Sequence, residues 1–454
     1  MALIIKYNVS CSSRLHFRKD FAAAFILSLF VIHSIRAADT PTKPLAASVT
    51  ESDASASVGD WPQWRGGDRD GVSKETGLPK QWPKGGPPLA WKANGIGGGM
   101  GGVSIAAGRV YVCGDSGDAA CLFALNEADG KLLWKAKVGR GGVVGASGQS
   151  HPGPRGSPTV DGQRIYVLTQ YGELSCISTY GKELWHVDLV QEYGGRMPTW
   201  AYSESPLVDG DKVICTPGSS KGTMLALNKQ SGKFLWLSKE WTEEPQYSSA
   251  IVATIGGVRQ YIQQTAPSVA GVAADSGKLL WKASRSEGKI AIATPIEKDG
   301  MVYVAAGYGV GCHLFKVTPP AAAGGKFSVQ KVYDNRNMKN HHGGVILFGD
   351  YVYGSNDPGL LVCMDFKTGK VAWSNRSVGK GSIAIADGMI YLRSETPPGT
   401  MALVEATPQA YKQISTFTPP AGSGQPTWPH PVIANGRLYL RDQDVLLTYD
   451  IKVK

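Results

Sequence analysis

The sequence predicts an all-β fold: an eight-bladed β-propeller of four-stranded antiparallel blades, closed by an N-terminal strand that completes the last blade. Three observations predict it. A five-residue motif recurs at a nearly fixed period, each period holds four short strand signals, and an orphan strand early in the chain matches one missing at its end. The motif copies are Gly130-Lys-Leu-Leu-Trp134, Gly181-Lys-Glu-Leu-Trp185, Gly232-Lys-Phe-Leu-Trp236, Gly277-Lys-Leu-Leu-Trp281 and Gly369-Lys-Val-Ala-Trp373, with tryptophan spacings of 51, 51, 45 and 92. The last gap is two periods of 46 around one degenerate copy.

Taken in chain order, the first element reads as an export signal over residues 1–37. A basic stretch ends at Arg18-Lys19, an apolar run covers 21–35, and small residues Ala37-Ala38 follow where a peptidase cuts. The apolar run is too short for the ~20 residues that span a bilayer, so no stable membrane anchor is expected. Residues 38–58 are rich in Ala, Ser, Thr and Pro and lack periodicity, as a flexible linker does. A lead segment, 59–88, is expected to pack on the propeller, which occupies 89–454. The mature chain is expected in the periplasm or outside the cell, as a monomer.

Within each period the signals keep one order. Residues 157–160 lead to an Asp161-Gly162 turn, then 164–168, a turn at Gly172, 173–177, a turn at Gly181, and 182–187. Short β-branched and aromatic runs bounded by Gly and Asp turns are antiparallel strands. The string Leu89-Ala-Trp91-Lys-Ala93 matches the motif strands but has no companions before it, whereas the last unit supplies three strands and stops. The early strand therefore completes the final blade and leaves no open edge. Degenerate copies fall near 326–333 and 411–417, where blades lacking the motif are expected to dock less tightly. Trp91, Trp134, Trp185, Trp236, Trp281 and Trp373 read as core residues that pack sheet against sheet.

Composition narrows the function classes. With 42% hydrophobic and 19% charged residues, the chain buries a large core and is not disordered. The net charge of +10 falls to +6 once the five basic and one acidic residues of 1–37 are removed, and no Lys/Arg run exceeds two, so nucleic acid is not an expected partner. Outside the signal there are six cysteines and no C-x-x-C. Cys113 and Cys121 flank Gly117 symmetrically; a disulfide between them is permitted in an oxidising compartment, and two buried thiols are the plainer reading.

The repeat, in forms such as Ala124-Leu-Asn-Glu-Ala-Asp-Gly-Lys-Leu-Leu-Trp134, resembles the pyrroloquinoline-quinone (PQQ)-like propeller repeat over residues 89–454. The string Trp61-Pro-Gln-Trp64-Arg65-Gly-Gly-Asp-Arg-Asp70-Gly-Val resembles the segment preceding such propellers in exported bacterial proteins. The resemblance implies either a non-catalytic binding or scaffold module for protein or small-molecule partners, without a cofactor, or a quinoprotein alcohol dehydrogenase holding PQQ and calcium at the channel mouth. The vicinal cysteine pair expected of many such dehydrogenases is absent, which favours the module.

Pseudo-symmetry says where a ligand belongs, because the segments leading into the innermost strands converge on one mouth of the channel. They are 151–155, 197–204, Gln246-Tyr247, Lys289, Asn340-His341-His342, Lys380 and Trp428-Pro-His430. The candidate ligand-binding residues are thus Arg155, Glu204, His342, Lys380 and His430, with Trp200 and Trp428 as stacking surfaces. No metal site is expected: adjacent His341 and His342 point to opposite faces of a regular strand, and Asp68-x-Asp70-Gly71 lacks the later acidic ligands of a calcium loop. Gly218-Ser-Ser220-Lys-Gly222 and Gly97-x-Gly99-x-x-Gly102 match a nucleophile elbow and a dinucleotide fingerprint, yet neither leads into a helix, and both read as turns. No catalytic residue is assigned.

Overall fold

A computed structural model of the protein describes residues 59–144, 151–285, 290–322 and 325–452. The signal and linker regions and Lys289 lie outside the described residues. The described chain forms eight sheets, each built on four antiparallel strands and one of them extended by a fifth, Val72–Ser73, and almost no helix. In chain order the blades occupy 104–140, 159–188, 207–237, 251–284, 296–335, 340–375, 381–417 and 432–450. The eighth is completed by Leu89–Asn94, which pairs antiparallel with Val445–Asp450 through Lys92 opposite Leu447. Ring closure is therefore as the orphan strand predicts.

The repeat motif works as a joint between blades. In each outermost strand the register slips just before the tryptophan position, so that one residue is skipped in the pairing, and Leu132–Arg140 slips a second time further on. This bulge lets the paired residue turn inward while the two before it stay outside. Hence Leu132 and Leu133 are exposed although Trp134 packs on Tyr111, with ring centroids 6.1 Å apart. The indole N–H then crosses to the neighbouring blade: Trp91, Trp134, Trp185, Trp236 and Trp373 donate to the carbonyls of Glu127, Thr179, Lys229, Ala274 and Thr407. Trp281 differs, donating within its own blade to Gln260 Oε1 at 2.5 Å. The motif glycine is the other half of the joint. Gly130 sits at φ 72°, and a Cβ there would lie 2.5 Å from the Trp91 ring of the preceding blade.

The two blades without the motif are not loose, contrary to expectation, because other side chains take the same place. In blade five Tyr333 occupies the position paired through Leu314 to Tyr303, and its hydroxyl donates to Phe366 O at 2.9 Å, as an indole does elsewhere. In blade seven that position holds Ser415, which is too small. Trp82 of the lead segment fills the gap: its backbone N–H donates to Ser415 Oγ at 3.0 Å and its ring lies 5.8 Å from Tyr391 and 5.0 Å from Phe417.

The cysteine symmetry fails by half a residue. The hairpin turns on two residues, so Cys113 pairs with Leu122 and Cys121 with Gly114, and the two thiols sit on opposite faces of the sheet. Both are free and buried, in different core clusters. The loop holding Ser219 and Ser220 closes on a Ser219–Gly222 bridge between strands Lys212–Cys215 and Leu225–Asn228, and 97–102 lies between Leu89–Asn94 and Ser104–Ala106. Neither leads into a helix.

Candidate functional site

The first strands of neighbouring blades touch around the axis, so the residues just before them are brought together. Their loops approach backbone to backbone. Gly156 has Glu204 O where a Cβ would be, at 2.5 Å, so only glycine allows blade two to lean on blade three here. Between these loops lies a cavity of about 280 Å³ lined by Arg155, Trp200, His342, Trp428 and His430 among the sequence-predicted residues.

Aromatic rings make most of its wall. Tyr308, His341, His342, Trp428 and His151 form a continuous series with successive centroids 4.7, 3.6, 4.2 and 5.2 Å apart. Trp64 lies 4.6 Å from His430, and Trp200 lies 5.9 Å from Tyr247. The contact between His341 and His342 corrects the expectation of opposite faces: four residues between Asn340 and Val345 drop out of the pairing with the next strand, and the irregular backbone turns both rings to one side. Burial pushes the His341 imidazole down to about 3 and that of His430 to about 4, and lowers His342 and His151 as well. At neutral pH the rings of His341 and His430 are uncharged.

Glu204 and Lys380 are placed differently from the prediction. Glu204 is 3% exposed and turns away from the cavity; its carboxylate accepts the Thr216 N–H and lies 3.4 Å from the Gln263 amide. Burial raises its carboxyl to about 7, against the opposing pull of Thr216 and Arg69. Lys380 stands behind the histidines, with Nζ 2.7 Å from His341 Nδ1, 2.8 Å from Asp357 and 3.4 Å from Glu395. Its one ammonium offsets half of the charge of these two carboxylates.

A calcium-held quinone does not fit this set. Calcium takes six to eight oxygen ligands, carboxylates among them, yet the lining contains no carboxylate. Glu204, Asp357 and Glu395 already have the partners just described. Among the described residues no group of three or more His, Cys, Asp or Glu is arranged to hold a metal.

The lead segment makes the floor, which the sequence analysis missed. Trp61 bridges to Ile105, Pro62 O accepts the Val160 N–H, and Val72–Ser73 pairs in parallel with Ile385 and Ala386. These contacts fall further along the same innermost strands than the cavity does. Two buried arginines span the gap between them: Arg65 Nη2 donates to Val345 O at 2.6 Å, and Arg69 donates to Ser205 O and Pro206 O at 2.9 and 3.0 Å. Trp64 donates to Thr294 Oγ1 at 2.9 Å and lines the cavity itself. With Gly59 O accepting the Asn435 N–H, the segment reaches every blade except the fourth. Asp68 and Asp70 are used locally, Asp68 with Lys74 and Asp70 with the Val72 N–H, in an exposed turn.

Comparison with known proteins settles the family. Residues 122–375 and 321–407 match the family model described as outer membrane protein assembly factor BamB, a PQQ-like repeat model. The chain belongs to that family. No curated protein sequence matches the chain significantly. Among solved structures, BamB from Moraxella catarrhalis superposes with a TM-score of 0.52 at 16% identity, over 76% of this chain and 94% of that one. Quinohemoprotein alcohol dehydrogenase from Comamonas testosteroni gives 0.60 at 14% identity, over 89% and 82%. The computationally designed Ika8 protein gives 0.55 at 10% identity, over 80% and 100%. At such identities the likeness is one of fold, and the propeller is shared by an assembly factor, a quinohemoprotein and a design alike. Among the described residues no helix is long and apolar enough to cross a membrane.

Proposed function

We propose that this protein is an exported, non-catalytic binding module of the BamB family, which holds a small molecule or a side chain of a protein partner in the channel cavity. One observation carries the reading: the cavity is walled by aromatic rings and by imidazoles that burial keeps neutral. A general base works best with a pKa near the operating pH. Imidazoles pushed down to about 3 and 4 stay neutral at pH 7 and are poorly matched to proton transfer there, and they offer flat, polarisable surfaces for recognition. The family match adds support, since the family is that of an assembly factor.

The competing reading is oxidation of an alcohol by a bound quinone. Purified full-length protein incubated with calcium and PQQ, then assayed for dye-coupled oxidation of primary alcohols, separates the two. The module is expected to reduce no dye above the protein-free blank. Saturable, alcohol-dependent dye reduction overturns the proposal.

A further inference from the structure

The cavity can bond in both senses from several sides of its wall. Ser205, Ser249 and Thr294 each line it two residues before an innermost strand, on three successive blades. Ser205 Oγ accepts the Ser157 N–H at 2.8 Å, Ser249 Oγ the Ser205 N–H at 2.9 Å, and Thr294 Oγ1 the Trp64 indole N–H at 2.9 Å. A hydroxyl keeps its own proton and a second lone pair after one such bond, and among the described residues none of these three has an acceptor for that proton. The two neutral imidazoles differ in sense. His430 Nε2 lies 2.9 Å from His342 O and so carries its proton, which leaves a lone pair on Nδ1. His341 Nδ1 accepts from the Lys380 ammonium at 2.7 Å, which puts its proton on Nε2. Charge, by contrast, is already accounted for: Arg155 donates to His151 O at 2.8 Å and feels the Asp115 carboxylate, and Lys380 is held by Asp357 and Glu395. Trp64, Trp200 and Trp428 line the same space from three separate segments and make its apolar faces.

Resting on the binding role proposed above, we infer that the cavity receives one neutral hexopyranose, free or at the end of a longer glycan. Each hydroxyl of such a ring both donates and accepts, so its edge can partner the Ser and Thr hydroxyls and both imidazoles. A flat aromatic with one polar atom leaves most of these buried groups unpaired, at a cost. The C–H faces of the sugar are apolar and lie against the indoles. A charged ligand gives up its water and finds no uncommitted counter-charge to replace it. Size agrees as well, since about 280 Å³ falls just under the ~300–1,000 Å³ of sites that take drug-sized molecules.

Calorimetric titration of the full-length protein at pH 7 with D-glucose, D-galactose and D-mannose tests this, with benzyl alcohol as the flat neutral probe. At least one hexose is expected to bind saturably, and its uronate form, its 2-amino form and benzyl alcohol each about tenfold more weakly. Trp200 is 37% exposed and can be truncated without opening the core. Trp200→Ala is expected to weaken the hexose about tenfold with an unchanged urea midpoint, and Trp200→Phe to recover most of that loss. The methyl glycosides of the same hexose separate the two sources: affinity equal to that of the free sugar indicates a chain end, and a loss of about tenfold a free sugar. Unchanged affinity in Trp200→Ala overturns the site. Equal or tighter binding of benzyl alcohol or of either charged form overturns the ligand class and leaves the binding role intact. Failure of all three hexoses to bind overturns the class too, while the quinone assay still decides the role independently.

Discussion

At the rim of this propeller almost every joint follows one rule, while at the axis the blades share little beyond the hydroxyl that Ser205, Ser249 and Thr294 place before successive innermost strands. Around the rim a bulged strand delivers an aromatic ring to the same position, and where the rule lapses Tyr333 or Trp82 fills the place. Around the axis the contributions are His, Trp, Ser, Ile and Arg in no order, joined by a segment from outside the repeat. The rim is solved seven times by one local device and once by a borrowed tryptophan. The axis is solved once, by particular residues, and so it is where a particular function resides.

The contrast is sharpest where the ring closes. Trp91→Ala is expected to cost about 3–5 kcal/mol, since it empties a buried indole site and removes the bond to Glu127. Urea unfolding reads it, and a loss under about 1 kcal/mol would show that closure does not depend on the rim device.

At the axis, Arg69→Ala is expected to cost roughly 3–4 kcal/mol, because it strips bonds from Gln63, Ser205 and Pro206 in a buried setting. Hydrogen exchange should then rise over 59–73 and not in the outer strands. A uniform rise would merge the two regions into one cooperative unit.

Glu204 gives the axis a pH signature that the rim lacks. Its folded pKa of about 7 lies above the ordinary 4.5, so the native state holds the extra proton between those values. That stabilisation is fully present below about pH 4.5 and is lost as pH rises through 7, by up to about 3 kcal/mol. Subtracting the stability profile of Glu204→Gln from that of the parent should reveal this fall. A flat difference would mean that Glu204 is ionised in the fold. The smallest effect belongs to the rim again: Tyr333→Phe should cost about 1 kcal/mol, the worth of one hydrogen bond, if Tyr333 really stands in for an indole.

What was legible in the sequence divides along the same line. Gly-x-x-x-Trp exposes the rim because a device used many times leaves a period, and blade number and closure follow from that. The axis leaves none. Arg155, Trp200, His342, Trp428 and His430 were reachable only through pseudo-symmetry, which locates a loop but not the direction of a side chain. Glu204 and Lys380 lie in the right loops and face other partners. His341 and His342 were misjudged because the departure from strand pairing carries no local mark. Cys113 and Cys121 are the buried thiols that the sequence favoured, and only their facing each other fails, because a two-residue turn centres between residues rather than on one. Trp82 did leave a trace. Aligning blade seven on its siblings puts Ser415 where a large ring belongs, and that vacancy calls for a tryptophan from elsewhere.

The lead segment also constrains biosynthesis. Residues 59–73 bond to loops and strands from the first blade to the eighth, so a nascent chain satisfies Trp61 at Ile105, Arg69 at Ser205 and Arg65 at Val345 in turn, and the segment is fully held only once the eighth blade exists. The blades are laced to this segment as spokes to a hub. Truncation at the far end therefore harms the beginning, releasing tryptophans and an uncapped strand that are ready to aggregate.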